Sequence, residues 1–219
     1  MKLTITLLLA LLLTGCGHMK DFGDEVVGSG AIKTEKRAVS AFKTIDASGA
    51  FDVEVVCGKE PGLELEGDDN ILPLVKTEVR GDTLYLKSEK SYSVKNSIRV
   101  RLTVQNLEGI ASSGATSFRV TAIKNEKMKV DISGASSINL SGETKTLDMD
   151  LSGASKVDTE SLRAERVSID MSGAGKANVY ASEELNAEVS GAGSVTYSGN
   201  PKTVNPKVSG VGSVSRKST

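Results

Sequence analysis

The most regular feature of the sequence is an apolar alternation that recurs about every 19 residues in its second half. In the copy that ends at Ile132, apolar side chains occupy every second position from Met128, with charged side chains between them. Alternation with a period of two is typical of a β-strand with one buried face. The same positions in the next three copies are also apolar: Leu147, Met149 and Leu151; Val167, Ile169 and Met171; Leu185, Ala187 and Val189.

Each alternating stretch runs into a small-residue tripeptide, Ser-Gly-Ala, which becomes Ser-Gly-Val in the last copy. Successive serines are 20, 19, 20, 18 and 19 residues apart, and an earlier copy at Ser48–Ala50 lies outside this spacing. Apolar residues follow five and seven positions after most of the serines, as at Phe118 and Val120. Each unit is therefore predicted to be strand, corner, strand and turn. The corner motif comprises Ser113, Gly114, Ser133, Gly134, Ser152, Gly153, Ser172, Gly173, Ser190, Gly191, Ser209 and Gly210.

Units of this length are too short to enclose a core of their own, so stacking must bury their apolar faces. Strands of successive units that lie side by side at about 4.8 Å form a parallel β-solenoid, with small residues at a corner too tight for bulky ones. An antiparallel meander is the alternative, but the connections lack the Asn-Gly and Asp-Gly pairs of tight hairpins. We predict an all-β fold, a right-handed parallel β-helix with coils of about 19 residues and a third short side near Ile123 and Leu162.

The remaining strand-rich sequence is predicted to cap this solenoid. Residues 39–108 are irregular, and we expect them to cover the first coil, so that residues 39–216 form one domain with its repeat coils over 109–216. Self-association through the solenoid ends stays open as an alternative to a protected end. Prolines and cations near the C-terminus are expected to discourage addition of a further strand there: Pro201, Lys202, Pro206, Lys207, Arg216 and Lys217.

The N-terminus has the pattern of an export signal. Lys2 precedes an apolar stretch that ends at Leu13, shorter than the roughly 20 residues needed to span a bilayer. The tetrad Leu13-Thr14-Gly15-Cys16 resembles the lipobox of bacterial lipoproteins. It predicts a signal peptide over residues 1–15 and a tether over 16–38 anchored by acyl chains on Cys16, whereas an ordinary signal peptide is the alternative. Because Gly17 is not the Asp that retains many lipoproteins at the inner membrane, we expect the outer membrane, with either orientation open.

Composition and charge exclude several classes of function. The chain has 27 Lys and Arg against 28 Asp and Glu, which gives nucleic acid no basic surface to bind. The single His, His18, lies in the predicted tether, so neither a His-dependent triad nor a multi-histidine zinc site can form within one subunit. Cys57 continues a strand alternation and is predicted to be a buried thiol. We predict no catalytic residues and no cofactor.

One outward column of the predicted solenoid is acidic. Two positions before the serines stand Asp131, Asp150, Asp170 and Glu188, followed by Lys207. Stacked carboxylates either bind a divalent cation or a basic ligand, or remain solvated, with Lys156 and Lys176 offsetting their charge. We favour solvation, and so no metal site, because Asp-rich loops of fixed spacing are absent.

The other exposed features give weaker indications. The corner serines recur in one environment, which favours hydrogen bonding to the turn backbone over a role as nucleophile. A glycan-binding face would use exposed aromatic residues, and Tyr180 is the only outward candidate in the repeats, because Tyr197 takes the inward phase.

The lipobox, the segments 42–53 and 67–71, and the Ser-Gly-Ala copies together resemble the family described as "putative auto-transporter adhesin, head GIN domain", over residues 40–214. The resemblance implies a β-helical fold, export or lipidation in Bacteroidetes and relatives, and adhesion, and it supplies no catalytic or ligand residues. We predict a lipid-anchored, non-enzymatic envelope protein whose solenoid binds an extracellular or envelope protein or a glycan. The alternatives are an envelope scaffold or spacer, and a β-helix enzyme acting on polysaccharide.

Overall fold

The computed structural model of the protein describes residues 25–218, so the predicted signal peptide, Cys16 and His18 lie outside the described residues. No helix in this range has the length and apolar character needed to span a bilayer. The elements are β1 (Val26–Val27), β2 (Ile32–Arg37), β3 (Thr44–Ser48), β4 (Phe51–Cys57), β5 (Gly62–Asp68), the 3-10 helix η1 (Leu72–Leu74), β6 (Val75–Arg80), β7 (Thr83–Ser88), β8 (Tyr92–Ser93), β9 (Ile98–Val104), β10 (Gly109–Ser112), β11 (Ser117–Ile132), β12 (Ser137–Leu151), β13 (Lys156–Met171), β14 (Lys176–Val189), β15 (Ser194–Gly199), β16 (Thr203–Val208) and β17 (Ser213–Arg216).

The second half of the chain is the predicted parallel β-solenoid. Strands β11 to β14 each bend through more than one side of a coil and pair in parallel with their neighbours, and β14 pairs with both β15 and β16. The repeat positions are in register, since Ile132 aligns with Leu151, Leu151 with Met171 and Met171 with Val189. About five turns stack in this way, which confirms the all-β solenoid.

The phase predicted to face inward is the buried phase. Met128, Val130 and Ile132 are buried, as are their equivalents in the next three coils, up to Val189. Ile123 and Leu162, on the short third side, are also buried and close the cross-section. The core is therefore a stack of aliphatic side chains, each covered by its equivalents in adjacent coils, and removal of this apolar surface from water is the main stabilising contribution.

The Ser-Gly-Ala corners stack on one another without room for a side chain at the glycine. A Cβ atom at Gly153 would lie 1.9 Å from the carbonyl oxygen of Gly134, and one at Gly134 would lie 2.0 Å from that of Gly114. The sequence predicts small residues here because of a tight bend. The structure adds a second reason, which is the close approach of the preceding coil's backbone.

The early copy at Ser48–Ala50 belongs to the same stack. A Cβ atom at Gly114 would lie 2.2 Å from the carbonyl oxygen of Gly49, and β3 and β4 pair in parallel with β10 and β11. Strand β3, this corner and β4 thus form two sides of the first coil. Its spacing is irregular because residues 58–108 intervene between β4 and β10. Within this stretch β7 pairs in parallel with β3 and β9 with β4, on the side of the first coil away from β10 and β11.

Antiparallel strands complete a cap over this parallel layer at the N-terminal end. Strand β5 pairs with β2 and β9, and β6 pairs with β7. The predicted boundary between tether and domain at residue 38 is therefore wrong, because β1 pairs with β8 and β2 with β5 within the fold. Ile71 and Leu72 are fully buried at this end of the core, and the Arg37 guanidinium donates to the carbonyls of Leu72 and Val75. The edge strands β2 and β6 are short and rich in charge, which disfavours pairing with another chain.

The C-terminal end is more open within the described chain. Strand β16 pairs only with β14, and β17 only with β15. Val208 is 44% exposed and Val211 is 90% exposed. Pro206 has no N–H to offer a further strand, and the exposed cations Lys202, Lys207, Arg216 and Lys217 add like charge. These features support the prediction that this end resists strand addition.

Substitution at the corner tests its close packing. Gly153→Ala is expected to lower the free energy of unfolding by about 1–3 kcal/mol, because the new methyl group must displace the coil beneath it. The matched control is Ser152→Ala in the same corner. It removes one hydrogen bond, donated by the Ser152 hydroxyl to the Ile132 carbonyl at 3.3 Å, and should lower the free energy of unfolding by about 1 kcal/mol or less. Urea denaturation of both variants measures the difference. Equal stability of Gly153→Ala and the unsubstituted chain would contradict the packing.

Candidate binding surface

The corner serines form a column that contributes hydrogen bonds to the stack. The hydroxyl of Ser133 donates to the carbonyl of Ser112 at 3.5 Å, and that of Ser152 to the carbonyl of Ile132 at 3.3 Å. Both acceptors lie in the preceding coil, whereas the sequence predicts bonding within the turn. Because these serines repeat one structural contact, their geometry fits a role in the fold.

The acidic column is present as a continuous row. Asp131, Asp150, Asp170 and Glu188 are neighbours in register, all exposed, and Lys207 follows Glu188. Lys129 lies 4.0 Å from Asp131, and Lys207 lies 3.9 Å from Glu188. Lys156 and Lys176, expected to offset this charge from beyond the corner, begin the strands β13 and β14 there, and neither forms an ion pair with the column among the described residues.

Solvent and two flanking lysines therefore carry most of the compensation for the acidic column. Among residues 25–218, no group of three or more His, Cys, Asp or Glu side chains is arranged to hold a metal ion. The two ion pairs are long and exposed, so each contributes little stability. The arrangement suits contact with a basic surface better than capture of a cation.

A trough of about 1000 Å³ runs along the short third side, across successive coils. We call it the third-side trough. Its floor is an inward-phase column that is aligned in register: Asn125, Thr144 and Ala164. Two outward columns of longer side chains flank this floor. Lys124, Glu143, Arg163 and Tyr180 form the open rim, and Glu126, Lys145, Glu165 and Ser182 form the paired rim.

The charged side chains of the paired rim form ion pairs within the protein. Lys145 lies 2.6 Å from Glu126, whose carboxylate accepts its hydrogen bond and raises the pKa of the lysine. Glu165 lies 3.5 Å from Arg166, which also pairs with Glu183 at 3.1 Å. These charged groups already have partners within the protein, so little of their bonding capacity is left for a ligand.

Within the described part of the chain, the charged side chains of the open rim are not engaged in ion pairs. Lys124, Glu143 and Arg163 are adjacent in register, and none of them forms an ion pair within 4 Å among the described residues. The Arg163 guanidinium lies 4.7 Å from the centroid of the Tyr180 ring and donates to its hydroxyl at 3.1 Å. The rim thus presents an ammonium, a carboxylate and a guanidinium in sequence, with alternating sign.

Tyr180 is therefore placed at a groove, as an outward aromatic residue, but one face of its ring is covered by Arg163. A Cβ atom at Gly199 would lie 3.3 Å from Cε2 of the same ring, so the ring also packs against the next coil. The sequence indicates that Tyr180 is an outward aromatic residue, but it does not predict the trough beside it. The third side is too short to show a period, and its floor mixes Asn, Thr and Ala, which give no apolar signal.

Cys57 is a core thiol. Its side chain lies in β4 and the residue is 5% exposed. Burial raises the pKa of the Cys57 thiol to about 11, and a backbone hydrogen bond at Leu107 lowers it by less. The thiol is therefore protonated at neutral pH and is not suited to nucleophilic chemistry.

Comparison with known proteins identifies related chains. The family model described as "putative auto-transporter adhesin, head GIN domain" matches residues 41–201, which is more than half of the chain. No curated protein matches.

Solved structures share the fold at low sequence identity. A crystal structure titled as a putative adhesin from Bacteroides fragilis is similar with a TM-score of 0.68 and 23% identity, covering 88% of this chain and 100% of that one. A putative lipid binding protein from Parabacteroides distasonis is similar with a TM-score of 0.58 and 19% identity, covering 89% and 100%. A putative adhesin from Parabacteroides merdae has a TM-score of 0.56 and 18% identity, covering 90% and 100%. At these identities the likeness shows the fold alone.

Calcium-dependent melting tests the role of the acidic column. Asp150→Asn and Asp170→Asn are expected to leave stability unchanged or raise it by up to about 0.5 kcal/mol, because each removes like-charge repulsion at strand spacing. Neither variant nor the unsubstituted chain should change its Tm between calcium and EDTA. Asp148→Asn is the contrasting control, since it breaks a 2.9 Å pair with Lys127 and should give no gain. A calcium-dependent rise in Tm that is lost in Asp150→Asn would contradict this account.

Proposed function

Because the chain belongs to the family described as "putative auto-transporter adhesin, head GIN domain", we propose that it is a lipid-anchored, non-catalytic envelope protein that binds another macromolecule along its solenoid. The observation that carries this proposal is the register of β11 to β14. It holds outward side chains in straight columns across successive coils, on a scaffold whose backbone is paired on both sides. Such columns suit contact with a long or extended partner.

The anchor is assigned to Cys16 on the strength of the lipobox tetrad. Ten positions separate Cys16 from Val26, where β1 begins, and a chain of that length reaches at most about 35 Å. The cap therefore lies near the membrane, and the repeat coils are free to project from it. Two or three acyl chains on one cysteine give stable membrane attachment, whereas a single chain is marginal.

A non-catalytic role is supported by the repetition of the surface. A catalytic group needs one environment that differs from all others, but the corner serines share theirs, and Cys57 is buried with a raised pKa. The connections between the long strands at 133–136, 152–155 and 172–175 are short, so they build no wall around a cleft.

Metabolic labelling with palmitate and protease treatment of intact cells test this function together. We expect the unsubstituted chain to take up label and fractionate with membranes, Cys16→Ser to lose both properties, and Cys57→Ser to keep both. We also expect external protease to remove the anchored protein from intact cells.

Palmitate labelling and sensitivity to external protease test separate parts of the proposal. An unlabelled chain would overturn lipid anchoring. A labelled chain that external protease leaves intact would overturn an adhesive role at the cell surface and would favour a spacer within the envelope.

A further inference from the structure

We propose that the third-side trough binds a neutral carbohydrate chain laid along the solenoid axis. This inference deepens the proposed binding role by naming one site and the chemical class of its ligand. The trough extends from Glu108 to Ser182 and so crosses several coils at about 4.8 Å each. Its volume of about 1000 Å³ lies at the upper end of the range for small-molecule pockets, and its length across coils suits several linked units.

The open rim supplies the polar contacts that a chain of hydroxyl groups requires. Lys124 and Arg163 are donors, Glu143 between them is an acceptor, and the three are neighbours in register. A sugar hydroxyl both donates and accepts, so one ligand can satisfy alternating donors and acceptors along a row. A rim of a single sign would select a charged ligand instead.

The charge around the trough argues against a polyanion. Its lining is balanced overall, and two of its four cations already pair with carboxylates, Lys145 with Glu126 and Lys127 with Asp148. For a phosphate or sulfate polymer, the attraction to each cation of the lining would be offset by repulsion from a neighbouring carboxylate. The balanced charges are Lys124, Lys127, Lys145 and Arg163 against Glu108, Glu126, Glu143 and Glu165.

The backbone around the trough argues against an extended peptide. Peptides are commonly captured by adding a strand to an open sheet edge. Strands β12 and β13, which form the middle of the trough, are paired with a neighbour on each side, so the solenoid offers no open edge there. A peptide lying across the coils would leave most of its own N–H and C=O groups to side chains and water.

One rim adds the flat surface that sugar rings use. Ala164 at the floor is only 1% exposed, so this surface comes from the Arg163–Tyr180 pair, in which the guanidinium lies 4.7 Å from the ring centroid. A pyranose ring has an apolar face of C–H groups and a polar rim of hydroxyls. It can place that face against the Arg163–Tyr180 pair while its hydroxyls reach Glu143 and Lys124.

The test uses the full chain carrying Cys16→Ser, which cannot be lipidated, on an array of neutral and anionic glycans. The best neutral oligosaccharide is then measured by calorimetry. We expect Arg163→Ala to weaken binding at least ten-fold and Glu143→Gln several-fold. The matched controls lie outside the trough: Arg119→Ala, whose side chain contacts Glu54 on another side of the solenoid, and Glu188→Gln in the acidic column should stay within two-fold. Urea midpoints of all four variants establish that each is folded.

Several outcomes overturn the inference. These are absence of binding to every neutral glycan, binding to anionic glycans alone, or equal losses in trough variants and controls. The assay is independent of membrane attachment, so a chain that is anchored and surface-exposed but binds no neutral glycan would refute this inference alone. A chain that binds glycan in the trough but is protected in cells would refute only the surface role.

Discussion

The close approach of successive Ser-Gly-Ala corners is the constraint on which the rest of the structure depends. Backbone lies against backbone there, and a Cβ atom at any glycine of the column from Gly114 to Gly210 would come within 2.2 Å of a carbonyl oxygen in the preceding coil. This contact fixes the register between coils, and the register fixes which residues of each strand face inward. Aliphatic stacking then stabilises the arrangement, so a chain with no Trp and few other aromatic residues has a continuous core.

The same register explains the character of the surface. Outward residues at equivalent positions are neighbours across coils, which turns a repeated sequence position into a column such as Asp131, Asp150 and Asp170. A repeated environment disfavours the single perturbed site that catalysis needs, and it favours contact distributed along a length. The third-side trough arises where the repeat is least strict, because its floor residues are small or polar and its rims alternate in charge.

Local signals in the sequence predict the coils of β11 to β14 well, because both the alternation and the corner lie within one unit. The first coil cannot be predicted in this way. Gly49 and Gly114 are in contact although residues 58–108 lie between their units in the sequence, and no local pattern indicates that contact. The cap is equally hard to predict. Arg101 meets Glu64 and Glu66 only through the antiparallel register of β5 and β9. Cys16 lies outside the described residues, and its lipidation stays a prediction from the tetrad alone.

Hydrogen exchange at the corner amides tests the stacking most directly. The N–H of Ala115 donates to the Gly49 carbonyl at 2.9 Å, that of Ala135 to Gly114 at 3.0 Å, and that of Ala174 to Gly153 at 3.2 Å. Although these residues are exposed at a surface corner, their amides are predicted to exchange slowly, with a protection close to that of the buried strands. Exchange of the Ala115, Ala135 and Ala174 amides at the rate of an unstructured loop would contradict the stacked corner.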